Sequence, residues 1–344
     1  MSVSTPIVEV RNVTRSFRSV KKGEGWRGAF GLLVKPEYQE TQALKGVSFT
    51  LEPGSFNGLI GANGAGKTTL LKILSGLLAP TSGEARVLGH DPFKRPLEFR
   101  RKISLVMGQK AQLWWDLPAL DAFDLLQAIY EIPEKLYRER LNTLAELLDV
   151  QRHLGTQIRR LSLGERMKME LIGAILHWPS LIFLDEPTIG LDVLAAHRLR
   201  EFLKTHNQRE KATIILTSHN MEDIERLCSR VLIMRSGTLI YDGKPGGLTH
   251  EGECRLRVRL VQSPEVAELA QVTGLEVAHI QIEQSEAGDE AEQVRNVYFA
   301  VKYDQVVAIL QKIMARFQVV SMGIEEQSLE NVIHRLYAEE RTMA

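Results

Sequence analysis

Residues 61–69 read GANGAGKTT, following the apolar stretch FNGLI and opening the helical spacing of KTTLLKILSGLL. Gly61, four residues, then Gly66, Lys67 and Thr68 is the spacing of a phosphate-binding loop. Glycines let the backbone of Gly61, Asn63, Gly64, Ala65 and Gly66 wrap closely, so that N–H groups face phosphate oxygens. The helix N-terminus adds partial positive charge. Lys67 would neutralise the outer phosphates and Thr68 would offer a hydroxyl to Mg²⁺. With a strand before it and a helix after it, the segment predicts a nucleoside triphosphate site.

LIFLDEPT (181–188) ends an apolar strand with two adjacent carboxylates. A buried strand delivers Asp185 and Glu186 to the crevice where open α/β sheets bind ligands. There Asp185 would hold Mg²⁺ and Glu186 would polarise an attacking water; the alternative is that Glu186 only caps the helix after Pro187. Gln109 follows the strand ISLVM and His219 follows ATIILTS, so both stand at strand ends from which a γ-phosphate or its water is within reach. LSLGE (161–165) precedes the helical pattern RMKMELIGAIL and reads as a helix cap. Ser162 and Gly164 there present a hydroxyl and an unobstructed N–H to an anion.

These residues need a scaffold of strands whose ends converge. IVEVRNV (7–13) alternates like a half-exposed strand, and residues 43–61 read as further strands broken by a Pro-Gly turn. Residues 67–78 read as helix, 103–107 as a short buried run and 119–150 as helix-rich; strands at SLIFL, ATIILT and RVLIM then alternate with helices. That order predicts a mostly parallel sheet covered by helices, interrupted by a helical subdomain over about 110–160. Residues 18–42, with Arg18, Lys21, Lys22, Trp26, Arg27, Phe30 and Lys35, read as an inserted surface loop, either solvated or in contact with lipid headgroups or a partner. Trp114 and Trp115 either pack the helical subdomain or form a docking surface.

The Gly-rich stretch 241–253 marks a boundary between a domain over 1–245 and a second over 250–344. Beyond it the pattern predicts strand 254–261, helix 264–271, strand 275–283, the acidic loop SEAGDEAEQ, strand 294–301, helix 303–316, strand 317–324 and helix 328–339. This is a small α+β, ferredoxin-like order. The unit could sense a ligand, steady a dimer or cover a sheet edge.

Composition narrows the function classes. The 344 residues carry 43 Lys plus Arg against 43 Asp plus Glu, so no overall field recruits nucleic acid. Cys228 and Cys254 are too few for a disulfide framework and lack metal-ligand spacing, which suits a reducing, cytoplasmic setting. No apolar run approaches the roughly 18–20 residues that span a bilayer, and the N-terminus has no export-signal pattern. The expectation is a chain that is soluble or held at a membrane by something else.

Taken together, the phosphate loop, Gln109, LSLGE, LIFLDEPT, GLD (190–192) and TSHN (217–220) resemble, in order and spacing, an ATP-binding-cassette (ABC) transporter ATPase over residues 7 to about 240. LSLGERMKMELIGAIL, LDEPTIGLDV and the closing SLENVIHRLY are similar to the bacterial branch that serves drug, polysaccharide and lipid exporters. The resemblance implies a phosphate-loop nucleotide-hydrolase fold with an antiparallel β subdomain. It implies that Lys67, Thr68 and Thr69 bind phosphates and Mg²⁺, that Gln109 senses Mg²⁺ and water, and that Asp185 supports the metal. Glu186 would be the catalytic base, His219 would contact the γ-phosphate, Asp192 would cross a dimer interface and Phe17 would stack on adenine, unless it is a core residue. Ser162 and Gly164 would close over ATP held by a second copy or a homologous cassette. Leu163 and Glu165 depart from the family's usual LSGGQ: Leu163 must turn away from the nucleotide, and Glu165 brings a carboxylate near the ATP face. The implied protein is the ATP-hydrolysing subunit of an exporter, peripheral on the cytoplasmic face of the inner (plasma) membrane and driving separately encoded polytopic permeases. A soluble cassette acting on the ribosome or DNA is the alternative; a single phosphate loop, a single cap motif and no sustained heptads weigh against it.

Overall fold

Val8, Val10 and Val13 are buried while Arg11 is exposed, and this alternation makes β1 (Val8–Val20) the middle strand of an antiparallel sheet. Its neighbours are β2 (Tyr38–Leu51) and β4 (Ser82–Val87), in the order β2-β1-β4. The expected loop over 18–42 is therefore shorter. Residues 18–20 and 38–42 stay in the ladder, with Arg18 opposite Glu40 and Val20 opposite Tyr38, because continued pairing satisfies their backbone groups. The computed structural model describes residues 5–20, 38–107, 112–218, 220–248, 253–261, 264–283, 295–326 and 332. Lys21, Lys22, Trp26, Arg27, Phe30 and Lys35 of the basic stretch lie outside them.

β3 (Phe56–Gly61) is buried along its whole length and runs parallel to β7 (Thr213–Thr217) on one side and β8 (Arg230–Arg235) on the other. With β5 (Ile103–Met107), β6 (Leu181–Asp185) and the antiparallel edge strand β9 (Thr238–Gly243), it forms a six-stranded sheet in the order β5-β6-β7-β3-β8-β9. The apolar runs of β6 and β7 are those of a parallel sheet covered on both faces. Helices α1 (Lys67–Leu74), α2 (Leu97–Lys102), α5 (Leu163–Ile175), α6 (Val193–Glu210) and α7 (Met221–Leu227) alternate with its strands, while α3 (Ala119–Tyr130) and α4 (Glu134–Leu147) form the helical interruption. The helix expected over 67–78 stops at Leu74: the N–H groups of Leu77 and Leu78 turn back onto the Lys72 carbonyl and close its end. Val8, Val47, Leu71, Leu74, Phe183 and Leu232 belong to one core that joins the two sheets.

The chain divides into two compact units, Met1–Lys244 and Pro245–Ala344. The second runs β10 (Glu253–Leu260), α8 (Val266–Thr273), β11 (Ile280–Ile282), β12 (Arg295–Lys302), α9 (Val306–Arg316) and β13 (Val319–Glu326). Its antiparallel sheet has the order β11-β12-β10-β13, and Leu256, Val258, Leu269, Phe299 and Ile313 are in its core. The strand expected over 275–283 shrinks to Ile280–Ile282, because residues 277–279 make a 3-10 turn and pairing with β12 begins only at Ile280. The acidic loop and, apart from Val332, the helix expected over 328–339 lie outside the described residues. Among the described residues no helix is long and apolar enough to cross a membrane.

Candidate functional site

β3 ends at Gly61, and the chain turns through residues 62–66 directly into α1. Gly66 has φ 104°, and a Cβ there would come within 2.6 Å of the Ala43 carbonyl oxygen, so only glycine lets the loop close against β2. Asn63, Gly64, Ala65, Gly66, Lys67, Thr68 and Thr69 line a cavity of 610 Å³, together with Ala43, Lys72, Met107, Asp185 and Glu186. Gly61 contributes through its carbonyl, which accepts from Lys67 Nζ at 2.5 Å; the Ala62 carbonyl accepts at 3.2 Å. Burial pulls the Lys67 ammonium below its ordinary range, and the nearby Glu186 and Asp185 carboxylates pull it back up. A cation buried among carbonyls beside two carboxylates is suited to meeting added negative charge.

Parallel pairing brings Asp185 at the tip of β6 beside Thr217 at the tip of β7. Thr217 Oγ1 donates to Asp185 Oδ1 at 2.6 Å, and Thr68 Oγ1 donates to Asp185 Oδ2 at 3.1 Å. Asp185 thus bridges the phosphate loop and the central sheet. The N–H of Glu186 reaches both the Thr217 carbonyl and its hydroxyl at 3.1 Å. Glu186 has φ 57°, a left-handed conformation that a non-glycine residue holds only when its surroundings fix it. No motif spacing marks Thr217 by itself, although it opens TSHN and stands at a strand tip. The set Thr68 and Asp185 fits a hard cation such as Mg²⁺, whose preferred ligands are oxygens. Among the described residues no group of three or more His, Cys, Asp or Glu could hold a metal, so such an ion would also need phosphate oxygens and water.

A second tie involves residues that the motif pattern did not single out. The fully buried Asp223 of α7 accepts from Thr188 Oγ1 at 2.9 Å, Ser218 Oγ at 2.8 Å and Arg200 Nε at 2.5 Å. It binds the segment after Glu186 to the segment after β7. The pairing links separate parts of the chain, and only an acid shortly after TSHN hints at it. Gln109 and His219 lie outside the described residues.

Ser162 is the N-cap of α5: its Oγ accepts from the Glu165 N–H at 3.3 Å, and the Ser162 N–H donates to Glu165 Oε2 at 2.9 Å, a capping box. Ser162 Oγ is also 2.8 Å from Glu165 Oε2, and His153 Nε2 is 3.0 Å from Glu165 Oε1. These contacts, first those from Ser162, hold the Glu165 carboxyl below the usual range. Its charge therefore lies against the cap while remaining partly exposed. Leu163 is 62% exposed. A Cβ at Gly164 would stand 2.8 Å from the Gly190 carbonyl oxygen, so the cap lies directly against GLD. Asp192 caps α6 by accepting from the Ala195 N–H at 2.8 Å; this bond, and then the Lys168 ammonium, keep its carboxyl low. Ser162 and Gly164 do not line the phosphate-loop cavity.

Phe17 lies on β1 opposite Thr41, two residues before Ala43, and the Arg15 guanidinium sits 4.8 Å from its ring centre. It is 39% exposed, so the ring is available at the surface and is not a core residue. A second cavity of 510 Å³ is lined by Leu97, Leu105, Trp114, Ile129, Glu170 and His177, among others. Trp114, 44% exposed, belongs to its wall; Trp115 is covered on one face by the Arg166 guanidinium at 4.6 Å.

The sequence matches the family described as ABC transporter over residues 44–189. It is 33% identical over 202 residues to the ABC transporter ATP-binding protein NatA of Bacillus subtilis (strain 168), covering 59% of this chain and 82% of that protein. It is 34% identical over 215 residues to the Nod factor export ATP-binding protein I of Paraburkholderia xenovorans (strain LB400), covering 62% of this chain and 70% of that protein. Among solved structures, the ATP-binding subunit of an ABC transporter superposes with TM-score 0.59 at 26% identity, covering 70% of this chain and 91% of the other. A dimeric ATP-binding cassette in a post-hydrolysis state with ADP and Pi superposes with TM-score 0.58 at 25% identity, covering 69% and 98%.

Proposed function

The chain belongs to the ABC transporter family as an ATP-hydrolysing, ATP-binding subunit, and we propose that two copies of it, or one copy and a homologous cassette, close over two ATP molecules to drive separate membrane-embedded permeases. One observation carries this reading. The cap of exposed Ser162 and half-buried Gly164 has the chemistry of a phosphate site yet stands outside the cavity of its own phosphate loop, as a half-site completed by another copy would. The dimer with ADP and Pi among the similar structures supports it.

In this reading the phosphate-loop N–H groups and Lys67 hold the β- and γ-phosphates, and Lys67 exchanges its contacts with the Gly61 and Ala62 carbonyls for phosphate oxygens. Thr68 and Asp185 would hold Mg²⁺, which neutralises charge on the phosphate oxygens when bound. Glu186, fixed by the Thr217 contacts to its N–H, orients the attacking water and takes its proton as the γ-phosphoryl group leaves ADP. Gln109 and His219 assist at the γ-phosphate, Asp192 meets the other copy, and Phe17 offers its face to adenine. Hydrolysis removes the charge bridge between loop and cap, so each cycle opens the pair.

A permease helix would dock in the cavity walled by Trp114, Leu97 and Ile129, and the protein would then sit peripherally on the cytoplasmic face. Export is the direction favoured by the similarity to the Nod factor export protein. The test is size-exclusion chromatography of the Glu186→Gln chain with ATP and Mg²⁺. A dimer that appears only with ATP and is lost on adding Ser162→Ala supports the reading; a monomer under all conditions overturns it.

A further inference from the structure

Glu170 is an acid that nucleotide chemistry does not use. It sits on α5, eight positions after Ser162, or roughly 12 Å along the helix at about 1.5 Å per residue. It is only 7% exposed, and burying a carboxylate is unfavourable unless its oxygens find donors. The donors here are backbone groups of a different segment. Glu170 Oε1 accepts from the N–H of Gln112 at 2.9 Å and of Leu113 at 3.1 Å, and Oε2 accepts from Leu113 at 3.2 Å.

The segment it grips is the one that leads to the second cavity. Leu113 is followed by Trp114 in the cavity wall, and Gln112 Nε2 donates to the Leu105 carbonyl of the edge strand β5 at 2.7 Å. One turn further along α5, Gly173 approaches so closely that a Cβ would stand 3.0 Å from Leu113 Cδ2. Helix and segment are therefore in contact at two successive turns, one hydrogen-bonded and one steric. A side chain whose single oxygen accepts from two consecutive N–H groups leaves the segment little freedom to slide along the helix.

We propose that Glu170 is the positioning residue that couples ATP held by the other copy to the second cavity of its own chain: when α5 moves to place Ser162 and Gly164 on that ATP, Glu170 carries residues 112–114 with it and reshapes the wall around Trp114. The inference rests on the reading of α5 as the ATP-closing helix and adds the residue through which closure reaches the docking wall. Carried the other way, an occupant pressed against Trp114 biases α5 toward or away from the closed pair.

Fluorine NMR of the Glu186→Gln chain labelled with fluorotryptophan tests it, with the Trp114 resonance assigned through Trp114→Phe. ATP and Mg²⁺ are expected to shift that resonance as the dimer forms. Glu170→Ala, and Glu170→Asp should the alanine variant not fold, abolish the shift while leaving the ATP-dependent dimer within about twofold. Glu170→Gln keeps the shift, since one carbonyl oxygen can accept both N–H groups. A full shift in Glu170→Ala or Glu170→Asp, or its loss in Glu170→Gln, overturns the proposal. If the parent chain does not dimerise with ATP, the reading of α5 itself fails.

Discussion

Asp185 and Glu186 are adjacent in the sequence, and both are tied to Thr217. Asp185 is fixed through its side chain by the Thr68 and Thr217 hydroxyls, whereas Glu186 is anchored through its backbone, with its N–H on Thr217 and φ at 57°. Gln has the shape of Glu and keeps the same backbone N–H, so the change to the amide leaves the Thr217 contacts in place. Glu186→Gln should therefore lower ATPase turnover by about 10²–10⁴ and leave ATP affinity near the parent value, as measured by steady-state kinetics beside calorimetric titration. Lys67→Ala should instead weaken ATP binding by about 2–3 kcal/mol, the strength of a charge-assisted contact, and calorimetry would show this directly. His177 offers a pH test. It stacks on Tyr130 at 3.9 Å, its Nε2 is 3.1 Å from the Ile103 carbonyl, and burial pushes its pKa down from 6.5 to about 4. The unfolded chain takes the proton first, so this contribution to stability is whole above pH 6.5 and is lost as pH falls toward 4, on the order of 3 kcal/mol in full. Urea unfolding at several pH values should show this acid limb flattened in His177→Gln; an unchanged slope would contradict the assignment.

Among the elements, α5 carries most of the account, and its start shows what the sequence does and does not disclose. Ser162 followed at the third position by Glu165 spells a capping box, so Ser162→Ala should remove about 1 kcal/mol of stability as well as the ATP-dependent dimer. The sequence shows Glu165 three positions after Ser162, but the contact between its carboxylate and the Ser162 hydroxyl is visible only in the fold. Because a charged acceptor competes with phosphate for that hydroxyl, Glu165→Gln should tighten the ATP-dependent dimer about fivefold, the difference between a charged and a neutral hydrogen bond. Analytical ultracentrifugation with ATP would measure it, and weaker association would exclude the competition. The phosphate loop and the strand-tip carboxylates were readable because each is a local pattern on one strand and turn. Thr217, Asp223 with Arg200, and Glu170 with residues 112 and 113 were not, since each bond joins segments that meet only in the folded sheet. The ladder beyond residue 17 was hidden for the opposite reason: basic and polar residues carry little period-two signal, and only the pairing with residues 38–42 reveals it.

At the scale of the molecule, two units have separate cores, one containing Leu71, Phe183 and Leu232 and the other Leu256, Phe299 and Ile313. Every residue assigned to nucleotide chemistry falls in the first. A chain ending at residue 248 should therefore fold and bind ATP as the full chain does, and a large loss of affinity on calorimetric titration would show that the second unit supports the site. The most direct test of shared ATP sites is complementation. Lys67→Ala disables the loop side of a site and Ser162→Ala the cap side, so each variant alone should be nearly inactive. In a mixed pair one of the two sites recovers both intact halves, and an equal mixture should regain roughly a quarter of the parent ATPase rate, given random pairing in a two-fold dimer. A mixture no more active than the average of its two components would contradict the claim that each ATP is enclosed by two copies.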